Sequence, residues 1–506
     1  MRLLSLALLL IFVPCAALAQ SDQDWKSCNA EDADAAIPAC TRLIETERLD
    51  PKGRSAALTG RATAHWRKHD FDRAVSDADR AIEFDPKNSD AYMRRGASYG
   101  SKGDYDRAIV DATKAIEIDP KFPRPYVVRG NAYQSKGDRD RAMADYAKAI
   151  ETDPKSALAY VNRASAYATR GDYDKAIADS TKAIEIDPKL ARAYDVRGAT
   201  YAQSGDYDHA IAEYTKAIEI DPKFAGAYSN RSLALASKGE DDRAIADVTK
   251  ATEIDPKLAR AYVVRAHIYA RNGNFDQAIT DATKAIEIDP KNRGAHDNRG
   301  FAYGRKGDYD HAIADATMVI EIDPKNSHAY GVRGNAYEGK GDYDLAIADY
   351  AKFIEIEPKN FGAARALGLL RFAKGDFDGA SADLSHALEL RDDIYAMLFR
   401  YLARAHAGQP EAAKAELAEN ARRWKVKVWP YAFIELYLGR RSPDAMLAAA
   451  VKVSDRCLTQ FHVGEWHALG SRSTEATTAL SMAVEICSKS SVEYRAAIAE
   501  LVRLKP

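Results

Sequence analysis

The sequence predicts an all-α fold: a superhelical solenoid of stacked helix-turn-helix repeats with atypical capping helices at both ends. Three observations carry this. Prolines fall at 86, 120, 154, 188, 222, 256, 290, 324 and 358, each 34 residues after the last, and self-similarity at such a period marks a repeat array. Between successive prolines, apolar residues recur at helical spacing in two separate stretches. Finally, 506 residues with 46% hydrophobic and 29% charged side chains are too apolar for disorder and too many for one core.

Residues 1–19 read as a secretory signal peptide. Arg2 gives the positive start, Leu3 to Val13 the apolar run, and Ala17-Leu18-Ala19 a small-x-small cleavage site before Gln20. Pro14 ends the run well short of the ~20 apolar residues a spanning helix needs. Val13-Pro14 before Cys15 is the wrong context for a lipid anchor, so a periplasmic or secreted protein without a stable membrane anchor is expected. A formal charge of −2 gives no reason to expect nucleic acid as a partner. Residues 20–54 read as N-terminal capping helices. Beyond the leader four cysteines remain, Cys28, Cys40, Cys457 and Cys487, an even number in a chain read as exported. Cys457 begins one helical stretch and Cys487 ends the next, so an antiparallel hairpin sets them side by side. Disulfides Cys28 to Cys40 and Cys457 to Cys487 are therefore expected. A metal site is the rival reading, disfavoured because CxxC spacing is absent and no histidine stands near Cys28 or Cys40.

Nine units span residues 55–360. In the unit Ser89 to Phe122, Tyr92, Gly96 and Tyr99 mark a first helix, and Ala108, Ile109, Ala115, Ile116 and Ile118 the apolar stripe of a second. Gly103 is placed to end the first helix, Asp104 to cap the second and Asp119-Pro120 to stop it. Neither helix buries its face alone, so neighbours must stack. With an aromatic at unit position 4, Gly or Ala at 8, Tyr at 11, Ala at 20 and 27 and Pro at 32, the unit is similar to the tetratricopeptide repeat. That resemblance implies a right-handed superhelix with a concave groove lined by the first helices. Of the 27 tyrosines, 22 occupy unit positions 4, 11, 17 and 24, so their abundance is one packing scheme copied nine times.

Position 7, where the family usually has leucine, is arginine in every unit: Arg61, Arg95, Arg129, Arg163, Arg197, Arg231, Arg265, Arg299 and Arg333. Position 23 is acidic in every unit, from Asp77 to Asp349. The arginines form either a basic ladder for an acidic ligand or pairs within each repeat, and the matched acidic ladder favours pairing. A 68-residue period lies beneath: Asn162, Asn230 and Asn298 precede the arginine in alternate units, and Arg124, Arg192 and Arg260 recur at position 2, followed by His328.

Residues 361–394 keep Gly375-Asp376-Phe377 and Ala380 but lose the proline, which makes them a degenerate repeat. Residues 395–506 read as irregular helical hairpins. There, Trp429-Pro430, Tyr437-Leu438-Gly439, Phe461-His462-Val463-Gly464-Glu465-Trp466, Glu493-Tyr494 and Glu500-Leu501 resemble the C-terminal part of the new-lipoprotein-I type of envelope tetratricopeptide protein in Gram-negative bacteria. That resemblance implies an adaptor that docks cell-wall hydrolases and a carboxy-terminal processing protease. The chain departs from the family in its many more repeats and in lacking the lipid-attachment cysteine.

No HExxH, GxSxG or Walker loop is present, and no cofactor or metal site is read. His65 and His69 lack a third ligand, and the repeated Asp-Tyr-Asp is explained by helix capping. By the family resemblance, positions 2, 5, 9 and 12 face the groove. They include Arg124, Val127, Asn131 and Gln134, then Arg192 and Asp195, then Arg260, Val263 and His267. Phe301 follows, and then His328, Asn335 and Glu338; the alternating asparagines Asn162, Asn230 and Asn298 are counted with them. Asn131, Asn162 and Arg192 match three positions of the carboxylate clamp known in the family, while Val127 and Val196 stand where it has basic residues. The expected function is a non-enzymatic periplasmic scaffold that binds envelope proteins or peptides in this groove. The alternatives are a hydrolase or metal-binding activity in the tail, or a self-associating protein, such as a homodimer.

Overall fold

The computed structural model describes residues 15–45, 49–422, 429–489 and 491–505, with side chains from residue 22. The expected leader lies outside the described residues, except that the first helix begins at Cys15 and so includes the Ala19–Gln20 junction. Among the described residues every regular element is an α-helix, and no helix is long and apolar enough to cross a membrane. The chain divides into two compact units, residues 1–254 and 255–506.

In the first unit, helices Cys15–Cys28 and Ala33–Glu45 precede six helix pairs that run from Pro51–Arg67 with Phe71–Phe84 to Ala225–Ser237 with Asp241–Ile254. Each helix packs on the next in sequence, and the first helices of successive pairs also touch, so they form one shared face. Local chemistry sets the boundaries. Gly103 adopts φ +82°, a left-handed conformation that closes the helix Ser89–Ser101 at little cost. Asp104 then caps Tyr105–Ile118 by accepting from Arg107 N at 3.1 Å. Inside each pair the second helix presents alanines, such as the fully buried Ala108, Ala112 and Ala115, and these let the backbones come close.

The second unit opens with pairs of the same kind, Ala259–Arg271 with Phe275–Ile288 through Phe361–Lys374 with Phe377–Leu390. The expected degenerate repeat is thus a regular hairpin. The tail follows as Ile394–His406 with Pro410–Ala421, two short helices Ala432–Tyr437 and Pro443–Ala449, the hairpin Val453–Leu469 with Ser473–Ile486, and the last helix Val492–Arg503. Its core sets the larger side chains Phe399, Leu402, Phe433, Leu436, Phe461 and Leu480 among alanines and the buried Tyr431 and Tyr437. In the final hairpin Gly464 faces Leu480, where a Cβ would sit 2.6 Å from the leucine Cγ.

Both expected disulfides are present, Cys28–Cys40 with Cα atoms 4.7 Å apart and Cys457–Cys487 with Cα atoms 5.0 Å apart. Alkylation without reductant is therefore expected to label Cys15 alone in the full chain. A chain beginning at Gln20 should take up none, and intact mass spectrometry reads both; label at any other cysteine would contradict the pairing.

Candidate functional site

The arginine ladder is internal. In all nine repeats the guanidinium donates to the carboxylate sixteen residues on, with nitrogen–oxygen distances of 2.7–2.9 Å. The remaining nitrogen often reaches back to the preceding repeat, as Arg129 Nη1 does to Thr113 Oγ1 at 3.2 Å and Arg231 Nη1 to Thr215 Oγ1 at 2.9 Å. Tyrosine at position 4 lies beneath the guanidinium, 5.5–5.8 Å away in Arg95, Arg129 and Arg197. Hydrogen bonds to their carboxylates hold Arg129, Arg231 and Arg333 above the ordinary arginine range. Pairing, not ligand binding, occupies the ladder, and it leaves the shared face of the first helices as the place where chemistry is free.

On that face the first unit has a groove of about 750 Å³ lined by the first helices of successive repeats. Its floor is apolar, from Met93, Ala97 and Val127, with exposed Trp66 and Leu158 at its edge; Arg67, Arg124 and Arg192 stand on the rim and Arg94 lies deeper between them. Arg94 has Asp90 at 3.4 Å, while among the described residues neither Arg124 nor Arg192 is in an ion pair. Burial pulls the Arg94 guanidinium below its usual range against the attraction of Asp90, and the like charges of Arg124 and Arg67 add to the fall. Asn162 Nδ2, on a residue only 3% exposed, faces this groove unmet. Asn131 is exposed and accepts from Tyr146 Oη at 2.8 Å. A surface of this kind fits an extended segment that brings apolar side chains to the floor and acidic groups to the rim.

The structure brings together Arg124, Val127, Asn131, Asn162 and Arg192 from the sequence reading in this one groove. Other predicted residues are engaged between repeats instead. Asn230 Nδ2 donates to Asp195 Oδ1 at 2.8 Å, and Asn298 Nδ2 to the Val263 carbonyl at 3.1 Å, so these alternating asparagines tie neighbouring first helices. Arg260 and His267 are exposed, and His328 Nδ1 lies 2.9 Å from Asp297 Oδ1 with Phe301 beside its ring. Asn335 donates to the Gly331 carbonyl and accepts from Tyr350 Oη. The largest departure is Glu338, which is already occupied. Arg495 of the last helix donates to it at 2.6 Å and lies over the Tyr343 ring. No sequence signal joins residues 157 apart, whereas Met93, Arg94 and Leu158, missed in the sequence reading, sit at positions 5, 6 and 2 of their units and were open to the same register argument.

Models of the tetratricopeptide repeat match residues 89–122, 155–223, 197–259 and 259–292, and further models of the same repeat match 130–169, 294–326 and 327–360. Together they cover just over half of the chain. No curated protein matches it. Among solved structures, the chain is similar to one in the APC/C hetero-tetramer Cut9–Hcn1, with 16% identity over 77% of this chain and 92% of that one, at TM-score 0.46. A tetratricopeptide repeat protein from Parabacteroides merdae is 21% identical over 49% of this chain and 98% of its own, at TM-score 0.41. MamA is 33% identical over 33% of this chain and 96% of its own, at TM-score 0.28.

Proposed function

The chain belongs to the tetratricopeptide-repeat family, and from that premise we propose that it is a non-enzymatic periplasmic scaffold that recruits envelope proteins through acidic, partly apolar segments. The observation that carries this reading is the groove of the first unit, where an apolar floor, a rim of arginines and the unmet Asn162 amide converge. The signal-peptide pattern of residues 1–19 and the even number of cysteines beyond it support the periplasm. The likeness of the tail to the new-lipoprotein-I type points to cell-wall hydrolases and their processing protease as the class of client.

The test is cross-linking of the mature protein in periplasmic extract, with the captured proteins identified by mass spectrometry and compared with those captured by the R124E/R192E double variant. Arg124 and Arg192 are exposed, so each lost charge contact is worth at most about 1 kcal/mol. The double reversal adds repulsion, so capture is expected to fall by about tenfold or more while helical content stays constant. Equal capture by both proteins would remove the groove from the mechanism, and an absence of specific clients would remove the scaffold reading itself.

A further inference from the structure

In the tail three helices bring one histidine and two glutamates to a point. His406 ends Ile394–His406, Glu465 lies within Val453–Leu469 and Glu500 within Val492–Arg503. One ligand atom from each lies within 4.8 Å of the others. His406 Nε2 is 2.7 Å from Glu465 Oε2. Glu465 is 0% exposed and Glu500 4%, yet Glu465 Oε1 meets no hydrogen-bond partner. Phe377 stacks on the His406 ring at 4.7 Å, and Phe372 stands edge-on to it at 6.1 Å, so the cluster has an apolar wall.

Two carboxylates in such a setting need their charge met by a cation or a proton, because an uncompensated negative charge in a low-dielectric interior is expensive. Arg503 supplies part of that charge by donating to Glu500 Oε2 at 2.6 Å. Its side chain is 31% exposed and lies over the Phe377 ring, so it approaches from the surface and fixes Glu500 while Glu465 Oε1 stays unmet. We propose that His406 Nε2, Glu465 and Glu500 form a binding site for a divalent transition metal, with zinc as the fitting ion. An imidazole nitrogen with two carboxylate oxygens suits zinc, whereas calcium and magnesium favour all-oxygen shells of six or more. Arg503 is then the outer partner that orients a ligating carboxylate. The site joins the last helix to the preceding hairpin and to Ile394–His406, and the same last helix places Arg495 on Glu338. Bound metal therefore fixes the element that occupies this part of the predicted groove.

The experiment uses the full mature chain, stripped with a chelator, and titrates zinc by calorimetry and by thermal unfolding. About one zinc per chain and a rise in melting temperature are expected, with no rise from magnesium or calcium at the same concentration. Outer partners alone are worth 10–100-fold in affinity, so H406Q and E465Q are each expected to weaken binding by more than about a hundredfold. Circular dichroism of each variant checks that the tail stays folded. If the wild-type chain takes up no stoichiometric zinc, or binds it as tightly when both residues are replaced, the cluster is two buried ion pairs and the proposal is wrong.

Discussion

Replacing Asp145 by leucine is expected to destabilise the protein by about 2–4 kcal/mol, whereas replacing Asp145 and Arg129 together by leucine should leave stability within about 1 kcal/mol of wild type. The asymmetry follows from burial. Asp145 is 5% exposed and receives two hydrogen bonds from Arg129, at 2.9 and 2.7 Å. Removing one partner strands a charge in a site shaped to exclude water, which costs 3–5 kcal/mol when burial is complete. Arg129 keeps 20% of its side chain exposed, which sets the estimate at the lower end. Removing both partners leaves two apolar side chains in contact, and such exchanges are commonly neutral or stabilising. Leucine is also the residue the family usually carries at position 7, so its shape suits the site. Urea midpoints followed by circular dichroism measure all three variants; stacked repeats need not unfold in one step, so the comparison is of midpoints at unchanged slope. If D145L is silent, or the double variant falls as far as the single, the ladder is not the internal clasp described here. Loss of client capture in R129L at unchanged stability would return the ladder to ligand binding.

The sequence made this ladder legible because both of its halves are periodic. Arginine at position 7 and a carboxylate at position 23 recur nine times, and two antiparallel helices offer one way for them to meet. The same spacing hides in the tail. Arg400 donates to Glu416, again sixteen residues on, at 2.7 Å, and Arg404 also reaches that carboxylate. Gly464 meets Leu480 at the same interval. These hairpins keep the register of the array but lack tyrosine at positions 4 and 11 and the proline at position 32, so the motif fades while the geometry persists. The disulfide Cys457–Cys487 was readable for a related reason, since two cysteines equidistant from a turn come side by side in a hairpin. Which predicted groove residues stay available was not readable. Asn162 and Asn230 hold the same unit position, yet Asn230 bonds to Asp195, whereas Val127 occupies the corresponding place before Asn162 and offers no side-chain acceptor. The closure of Arg495 on Glu338 depends on the path of the whole tail, and local patterns carry no information about it.

Acidification from pH 7 to pH 5 is expected to weaken the tail by about 2 kcal/mol through His462 alone. The ring is 0% exposed, with Phe433, Phe461 and Phe399 centroids at 4.3, 5.1 and 6.0 Å. Nδ1 lies 2.7 Å from Tyr437 Oη, while Nε2 meets no partner. No carboxylate is among these neighbours to favour an imidazolium, and burial pulls the folded pKa down to about 3. In the unfolded chain the same group titrates near ~6.5, so below that pH the unfolded state takes up a proton that the folded state refuses. Stability from this group is thus complete above ~6.5 and is lost as pH falls, at about 1.4 kcal/mol per unit, until the folded pKa is approached. His406 works in the opposite direction: burial lowers its pKa, but the bond to Glu465 and that residue's charge outweigh burial and leave it raised. His406 is present in both proteins of the comparison, so its contribution cancels when wild type is set against H462F. Phenylalanine keeps an aromatic ring in the cluster, and Tyr437 Oη retains the His462 backbone carbonyl as an acceptor at 3.3 Å. H462F is therefore expected to lie close to wild type at pH 7 and to gain about 2 kcal/mol on it at pH 5, read as the difference in urea midpoints at the two values. Parallel losses in both proteins between pH 7 and pH 5 would show that the carboxylates carry the acid sensitivity and that the buried imidazole does not.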